Sequence, residues 1–228
     1  MIDTLLLREL PYEDSDRLVT IWQIEPEAPD DRSGVAPGRF VDWRARTQAL
    51  AGLAAAEPFS FDFLEGSEPV SINAGIVTEG FFETLGVRPV HGRLFRAEEY
   101  TEGQANVVLL CHSAWQRLFG GDEAVVGTMT RLEGQSFLIA GVLPPSFRTD
   151  VMTRSLNPGQ PAVAYELWAP QVVQSAERNL RNSRFWSVVG RLAPGVTTEQ
   201  AQAELDTISR QLEVKYPGAT TASASTVV

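Results

Sequence analysis

Residues 80–148 read GFFETLGVRPVHGRLFRAEEYTEGQANVVLLCHSAWQRLFGGDEAVVGTMTRLEGQSFLIAGVLPPSFR. This stretch is the densest in structural signals. Thr78 is placed to cap a short helix over 79–85, which Gly86 ends in the left-handed conformation. The apolar run 106–111 predicts a buried strand. Ser113 is the expected cap of a helix carrying Trp115, Leu118 and Phe119, stopped by Gly120 and Gly121. Residues 128–132 and 136–143 flank Glu133-Gly134-Gln135, which predicts a hairpin ended by Pro144-Pro145. The order of these signals predicts a mixed α and β body.

Upstream, residues 1–8 (MIDTLLLR) look like the end of an apolar segment, and 18–22 alternate as a strand. Residues 25–38 are rich in Pro, Gly and acid and predict a mobile loop. From Pro37 the period changes. Phe40, Trp43, Thr47, Leu50 and Ala54 recur at helical steps, and Pro58 is the expected stop. Phe40 and Trp43 are expected in the core. Strands follow over 59–64 and 70–77, joined by a turn at 65–68.

Downstream, 149–164 predict irregular loop, 167–170 a short edge segment and 174–184 a polar linker. A strand is expected over 185–192, turned by Pro194-Gly195. Thr197 and Gln200 form a capping box that opens a helix with Ala201, Leu205, Ile208 and Leu212 on one face. Pro217 stops it, and 219–228 read as a frayed tail or a strand. The strand-then-helix passages 18–56 and 185–216 are expected to pair as one unit, with the middle of the chain inserted between them.

Composition excludes several functions. The 228 residues carry a net charge of -10, with 43% hydrophobic and 21% charged residues. Such an acidic surface repels phosphate backbones, so nucleic acid and anionic lipid are poor partners. One cysteine, Cys111, allows no intrachain disulfide. Its place at the end of an apolar run marks a small buried hydrophobe rather than a reactive thiol. No apolar run approaches the ~18–20 residues of a membrane span, and the run Leu5-Leu6-Leu7 is too short to read as a signal-peptide core.

The sequence contains no HExxH, CxxC, Walker loop, GxGxxG or GxSxG pattern. With two histidines, His91 and His112, a Ser/His/Asp hydrolase is a remote reading, and His91 is expected in a turn. The acidic pairs Asp30-Asp31 and Glu98-Glu99 are expected to be solvated rather than to bind calcium. Arg93, just after a glycine, is expected to be an internal tether through its planar fork. No catalytic, cofactor-binding or metal-ligating residue is assigned. The glycines at 86, 92, 120, 121, 127, 134 and 141 serve turns, caps and close packing rather than a phosphate cradle.

Several pieces, in order, resemble the MacB-like periplasmic core domain of FtsX-like ABC transporter permeases, in the branch called duplicated orphan permeases. They are residues 7–12 with 16–19, 40–44, Gly80-Phe81-Phe82 with Leu85-Gly86-Val87-Pro89, and Gly92-Arg93-Phe95. Then come Trp115 with 119–122, Val126-Gly127, 132–134, 141–148, Arg191-Leu192, 194–197 and 199–201. The resemblance implies an α+β body of two lobes. Residues 1–76 and 180–228 would form a porter-like β-α-β lobe, and 77–179 an inserted sabre-like lobe.

The resemblance also implies a non-catalytic periplasmic ectodomain that transmits ATP-driven motion and contacts partner proteins or substrate during export. Residues 1–8 would then be the end of the first membrane helix, and the chain an excised soluble piece of an inner-membrane protein. The implied partners are its own transmembrane helices, a second permease copy, an ABC ATPase subunit, and a periplasmic adaptor or substrate protein. Because the N-terminal loops depart from MacB itself, adaptor docking is not assigned to particular residues. The alternative reading is a free-standing periplasmic module that binds a peptide or lipoprotein. No cofactor is implied.

Overall fold

The longest strand, Leu50–Glu65, pairs with the next strand in sequence and with two strands from farther along the chain. The computed structural model describes residues 12–25, 28–65, 68–147, 163–217 and 224–227. The strands are β1 (Leu18–Glu25), β2 (Ala28–Ser33), β3 (Leu50–Glu65), β4 (Glu68–Val77), β5 (His91–Gly92), β6 (Val107–Leu110), β7 (Met129–Leu132), β8 (Gln135–Val142), β9 (Leu167–Pro170), β10 (Ser187–Leu192) and β11 (Ala224–Val227). The helices are α1 (Pro37–Arg46), α2 (Phe81–Leu85), α3 (His112–Phe119), α4 (Ser175–Arg178) and α5 (Thr198–Lys215).

The strands form one 11-stranded sheet whose path runs β11-β1-β10-β3-β4-β9-β6-β8-β5. Off this path, β2 pairs with β1, and β7 pairs with β3 and β8. The pairs β4–β9 and β6–β8 are parallel. The mixture of helices and sheet makes an α+β fold. The apolar entrance expected at 1–8, residues 66–67 of the turn expected at 65–68 and residues 149–162 of the loop expected at 149–164 lie outside the described residues.

Alternation along the strands sends apolar side chains to both faces. On one face Val19, Ile21, Leu53, Ala55, Val188 and Leu192 meet Phe40 and Trp43 of α1 and Leu205, Ile208 and Leu212 of α5. Farther along the same face of β3, Phe61 joins Ile72, Leu110, Trp115, Leu132 and Phe137. On the opposite face Leu18, Ala54, Ala56 and Val189 meet Phe81, Phe82, Phe147 and Trp168.

Trp168 is the hub of that third cluster and is fully buried. Its ring stacks on Phe81 with centroids 5.5 Å apart and 29° between the planes, and meets Tyr165 edge-on at 5.1 Å. In the β4–β9 register Trp168 faces Gly75. A Cβ at Gly75 would collide with the six-membered part of the indole, so only a bare backbone fits there.

The structure corrects several sequence expectations. The helix expected to run to Ala54 ends at Arg46, and Leu50 and Ala54 belong to β3. Thr47 is extended, with φ -66° and ψ 139°. The Glu204 carboxylate on α5 accepts from the Thr47 hydroxyl at 2.6 Å and from the amides of Gln48 and Ala49, each at 2.9 Å. That distant anchor pulls the chain off the helical path. Pro58, read as a helix stop, lies inside β3 opposite Gly75. It is tolerated because β10 pairs only as far as Ala56, so no partner strand needs the missing N–H.

Part of the loop expected at 25–38 forms β2 against β1. The segment 167–170, read as an edge, lies inside the sheet between β4 and β6, and Pro170 falls on its last residue. Part of the linker expected at 174–184 is α4. Cys111, not Ser113, precedes α3, and Gly80 rather than Thr78 precedes α2. The hairpin is present. Glu133 and Gly134 have φ 51° and 70°, so both central residues of its turn are left-handed, as a two-residue primed turn requires.

Arg93 is a tether. Its fork donates to both Glu99 oxygens at 2.8 and 2.6 Å, and to the Leu94 carbonyl at 2.9 Å. Glu99 also accepts from the Arg96 amide at 2.8 Å. It is buried, against the expectation of a solvated acidic pair, whereas Glu98 is exposed. Burial pushes the Glu99 carboxyl up, but the Arg93 fork, the Arg96 amide and the two guanidinium charges outweigh it and hold it below the usual carboxylate range.

Two outcomes follow from these contacts. Gly75→Ala lowers stability by about 1–3 kcal/mol through overpacking, read as a lower urea midpoint with an unchanged slope. Glu99→Gln costs about 1.5–3 kcal/mol at neutral pH. Because the folded-state pKa of Glu99 is depressed, its contribution is present above the unfolded value of about 4.3 and is lost as pH falls through the folded value. Urea melts at about pH 7 and about pH 3 therefore show a smaller loss on acidification in Glu99→Gln than in the wild type. An equal loss contradicts this.

Candidate functional site

The residues that sequence singles out for chemistry are engaged in packing. Cys111 is buried, and burial pushes its thiol up to about 12, against a smaller opposite pull from the Trp168 indole. His91 lies in β5 rather than in a turn, with its ring 5.1 Å from that of Trp115 and Nδ1 3.7 Å from a Glu123 oxygen. His112 opens α3 and meets the same indole at 5.4 Å. The side chains of Asp30 and Asp31 lie outside the described residues. Among the described residues no three His, Cys, Asp or Glu side chains gather in a group able to hold a metal ion.

The place where distant segments are tied together lies at the end of β10. Strand alternation sends Arg191 to the same face as Val189, toward α2. Its Nε donates to the Thr84 carbonyl at 2.8 Å, Nη1 to the Asp14 carbonyl at 3.0 Å and Nη2 to the Glu13 carbonyl at 2.9 Å. Arg17 makes the reciprocal tie. Its Nε and Nη2 donate to the Leu192 carbonyl at 3.1 and 2.7 Å, and Nη1 reaches Asp14 Oδ2 at 3.3 Å.

The carbonyls involved sit where regular structure breaks. Asp14 is left-handed, with φ 48°, and Thr84 is in the last turn of α2, whose end carbonyls lack helical partners. Gly86 ends α2 with φ 71°, and a Cβ there would lie 3.5 Å from that of Glu13. Burial, then the neighbouring Arg17 charge, lowers the Arg191 guanidinium below its usual value, yet an arginine stays cationic in a protein.

Two grooves open beside this junction, and Arg191 and Glu83 line both. One, of about 410 Å³, is walled by Glu13, Asp14, Arg17, Arg88 and Leu94. The other, of about 360 Å³, runs along residues 50–53 of β3 and is walled by Arg44, Thr47, Glu79, Gly80 and Thr84. A third groove of about 410 Å³ lies between α1 and α4, with Phe40, Tyr100, Val173 and Arg178 on its walls. Burial, then the charges of Glu83 and Glu79, pushes the Tyr100 phenol up, so its hydroxyl keeps its proton.

Sequence reasoning quoted Arg191 only as part of a family pattern and gave it no role. The signal was available: a lone arginine in the apolar strand 185–192, at a position whose alternation points inward. Its backbone partners, more than a hundred residues away, were not readable.

A model of the MacB-like periplasmic core domain matches residues 3–208. No curated protein matches the chain. Among solved structures it is similar to the periplasmic region of MacB from Actinobacillus actinomycetemcomitans, with 15% identity, TM-score 0.61, and coverage of 92% of this chain and 87% of that one. A domain of a putative permease protein from Porphyromonas gingivalis shares 16% identity at TM-score 0.65, covering 95% and 91%. The extracellular domain of the noncanonic ABC-type transporter YknZ from Gram-positive bacteria shares 14% at TM-score 0.59, covering 92% and 99%. No helix among the described residues is long and apolar enough to cross a membrane. With the family match spanning most of its length and the fold shared with these ectodomains, the chain belongs to the MacB-like periplasmic core domain family, the periplasmic domain of MacB- and FtsX-like ABC transporter permeases.

Proposed function

We propose that the chain works as a non-catalytic lever, moved as a rigid body by the membrane helices of its permease and driven by an ABC ATPase subunit. The observation that carries this reading is the Arg191 junction, where one guanidinium binds carbonyls of residues 13, 14 and 84 while Arg17 binds the end of β10. A pull on the N-terminal segment reaches β10 and α2 together through a planar fork that resists shear better than a single ammonium.

Two lobes suit that role. Residues 1–76 and 180–228 make the porter-like lobe, and 77–179 the sabre-like lobe that meets a second permease copy, an adaptor or a substrate protein. The cluster beneath α1 and α5, whose buried residues all come from 19–55 and 186–212, supports the first assignment. The long β3–β4 hairpin, continuous from one cluster to the next, supports stiff transmission between lobes.

Spin labels test the lever in the full-length permease. With Glu102→Cys in both copies, the distance between protomers changes on nucleotide trapping. The distance between Glu102→Cys and Glu199→Cys within one protomer stays fixed. Arg191→Lys, which keeps the charge and loses the fork, abolishes the first change while ATP hydrolysis persists. An internal distance that changes as much as the intermolecular one overturns the lever.

A further inference from the structure

Among the described residues, strand β3 has an unpartnered stretch of edge. On one side it pairs with β10 from Ala56 to Leu50. On the other, β4 begins pairing only at Ala56 opposite Val77. Thr78 closes the next position, donating its amide to the Ala55 carbonyl at 2.9 Å and accepting the Ala55 amide on Oγ1 at 2.8 Å. In an antiparallel ladder successive residues send their N–H and C=O to alternate sides. Ala55 addresses the Thr78 side, so Leu53 does too, and no strand among the described residues meets it there. Ala51 is the extra residue of a bulge, since Arg191 pairs with Gly52 and Leu192 with Leu50. This open edge is the wall of the 360 Å³ groove.

The groove has a floor and a charged rim. Thr84 Oγ1 lies where a Cβ of Gly52 would be, so α2 closes the groove from below. Arg44 spans its mouth to Glu79 at 3.4 Å and neutralises that carboxylate. Glu83 lines the same wall, and its carboxylate has no ion-pair or hydrogen-bond partner among the described residues. The fork of Arg191 is already committed to backbone carbonyls.

We propose that this edge takes up an extended polypeptide segment of a partner protein, about four residues or ~13 Å long, which adds to β3 as a strand and places a lysine or arginine against Glu83. Backbone hydrogen bonds to Leu53 and Ala51 supply the affinity, and the Glu83 carboxylate supplies the preference. The proposal stands on the strand edge and does not depend on the lever.

Hydrogen–deuterium exchange followed by NMR on the whole chain tests it, with Ac-TVKVT-NH2, Ac-TVEVT-NH2 and Ac-TVTVT-NH2 as probes. At about 5 mM, suited to a site with a Kd of about 1 mM, the lysine peptide slows exchange of the Leu53 amide about sixfold, and the glutamate peptide slows it less. N-methylation of the peptide's valine amides cancels the effect. Ala51→Pro, which blocks the edge without breaking a β10 pair, cancels it too. Glu83→Lys, on an exposed side chain, keeps binding and inverts the preference between the lysine and glutamate peptides. Failure of all three peptides to slow exchange overturns the proposal. So does a Leu53 amide already protected in the free chain, since the edge is then filled by the chain itself or by a second copy.

Discussion

An indole lying on a bare backbone sets the terms for the rest of the fold. Trp168 in β9 faces Gly75 in β4, and the path of the sheet passes from β4 through β9 to β6. A parallel pair at this point can form only if one strand gives up its side chain, because the ring needs the space that a Cβ would take. Once seated, the ring gathers Phe81, Phe82, Phe147 and Tyr165 around it. It thereby joins α2, the segment after β8 and the segment before β9 to a single buried surface.

Arginine does a second kind of organising. This acidic chain spends several guanidiniums on its own backbone or on one buried acid. Arg93 holds Glu99, whereas Arg17 and Arg191 hold carbonyls at the end of a strand, in a left-handed residue and in the last turn of a short helix. Such carbonyls lack partners in regular structure and would otherwise need water. A planar fork satisfies several at once and fixes their relative positions, which a hydrophobic contact does not do. The junction is therefore directional in a way that the surrounding core is not.

Local signals in the sequence were dependable where the chain decides its own conformation. The Thr197–Gln200 capping box, the Glu133-Gly134 turn and the left-handed Gly86 all lie where local chemistry places them. Reading failed where a remote residue decides. Leu50 and Ala54 continue the spacing of α1 because small and aliphatic residues satisfy both periods, and the break after Arg46 depends on Glu204. Residues 167–170 read as an edge segment, yet they lie inside the sheet, where the missing amide of Pro170 at the last position of β9 costs little. Glu99 looked like half of a solvated pair until Arg93 buried it. The Arg191 junction joins residues from both chain ends and the middle, so no window of sequence contains it. The family pattern carried what local reading could not: the ordered set of short pieces pointed to the right fold.

Cys111 has a practical consequence. It is the one thiol of the chain, it is buried, and its pKa is pushed up to about 12, so at neutral pH it presents almost no thiolate to a reagent. Within this chain the background for thiol chemistry is thus already silent. A cysteine introduced on an exposed face is the one that an iodoacetamide or maleimide probe finds, and no cysteine-free variant has to be built at the cost of disturbing the Trp168 cluster.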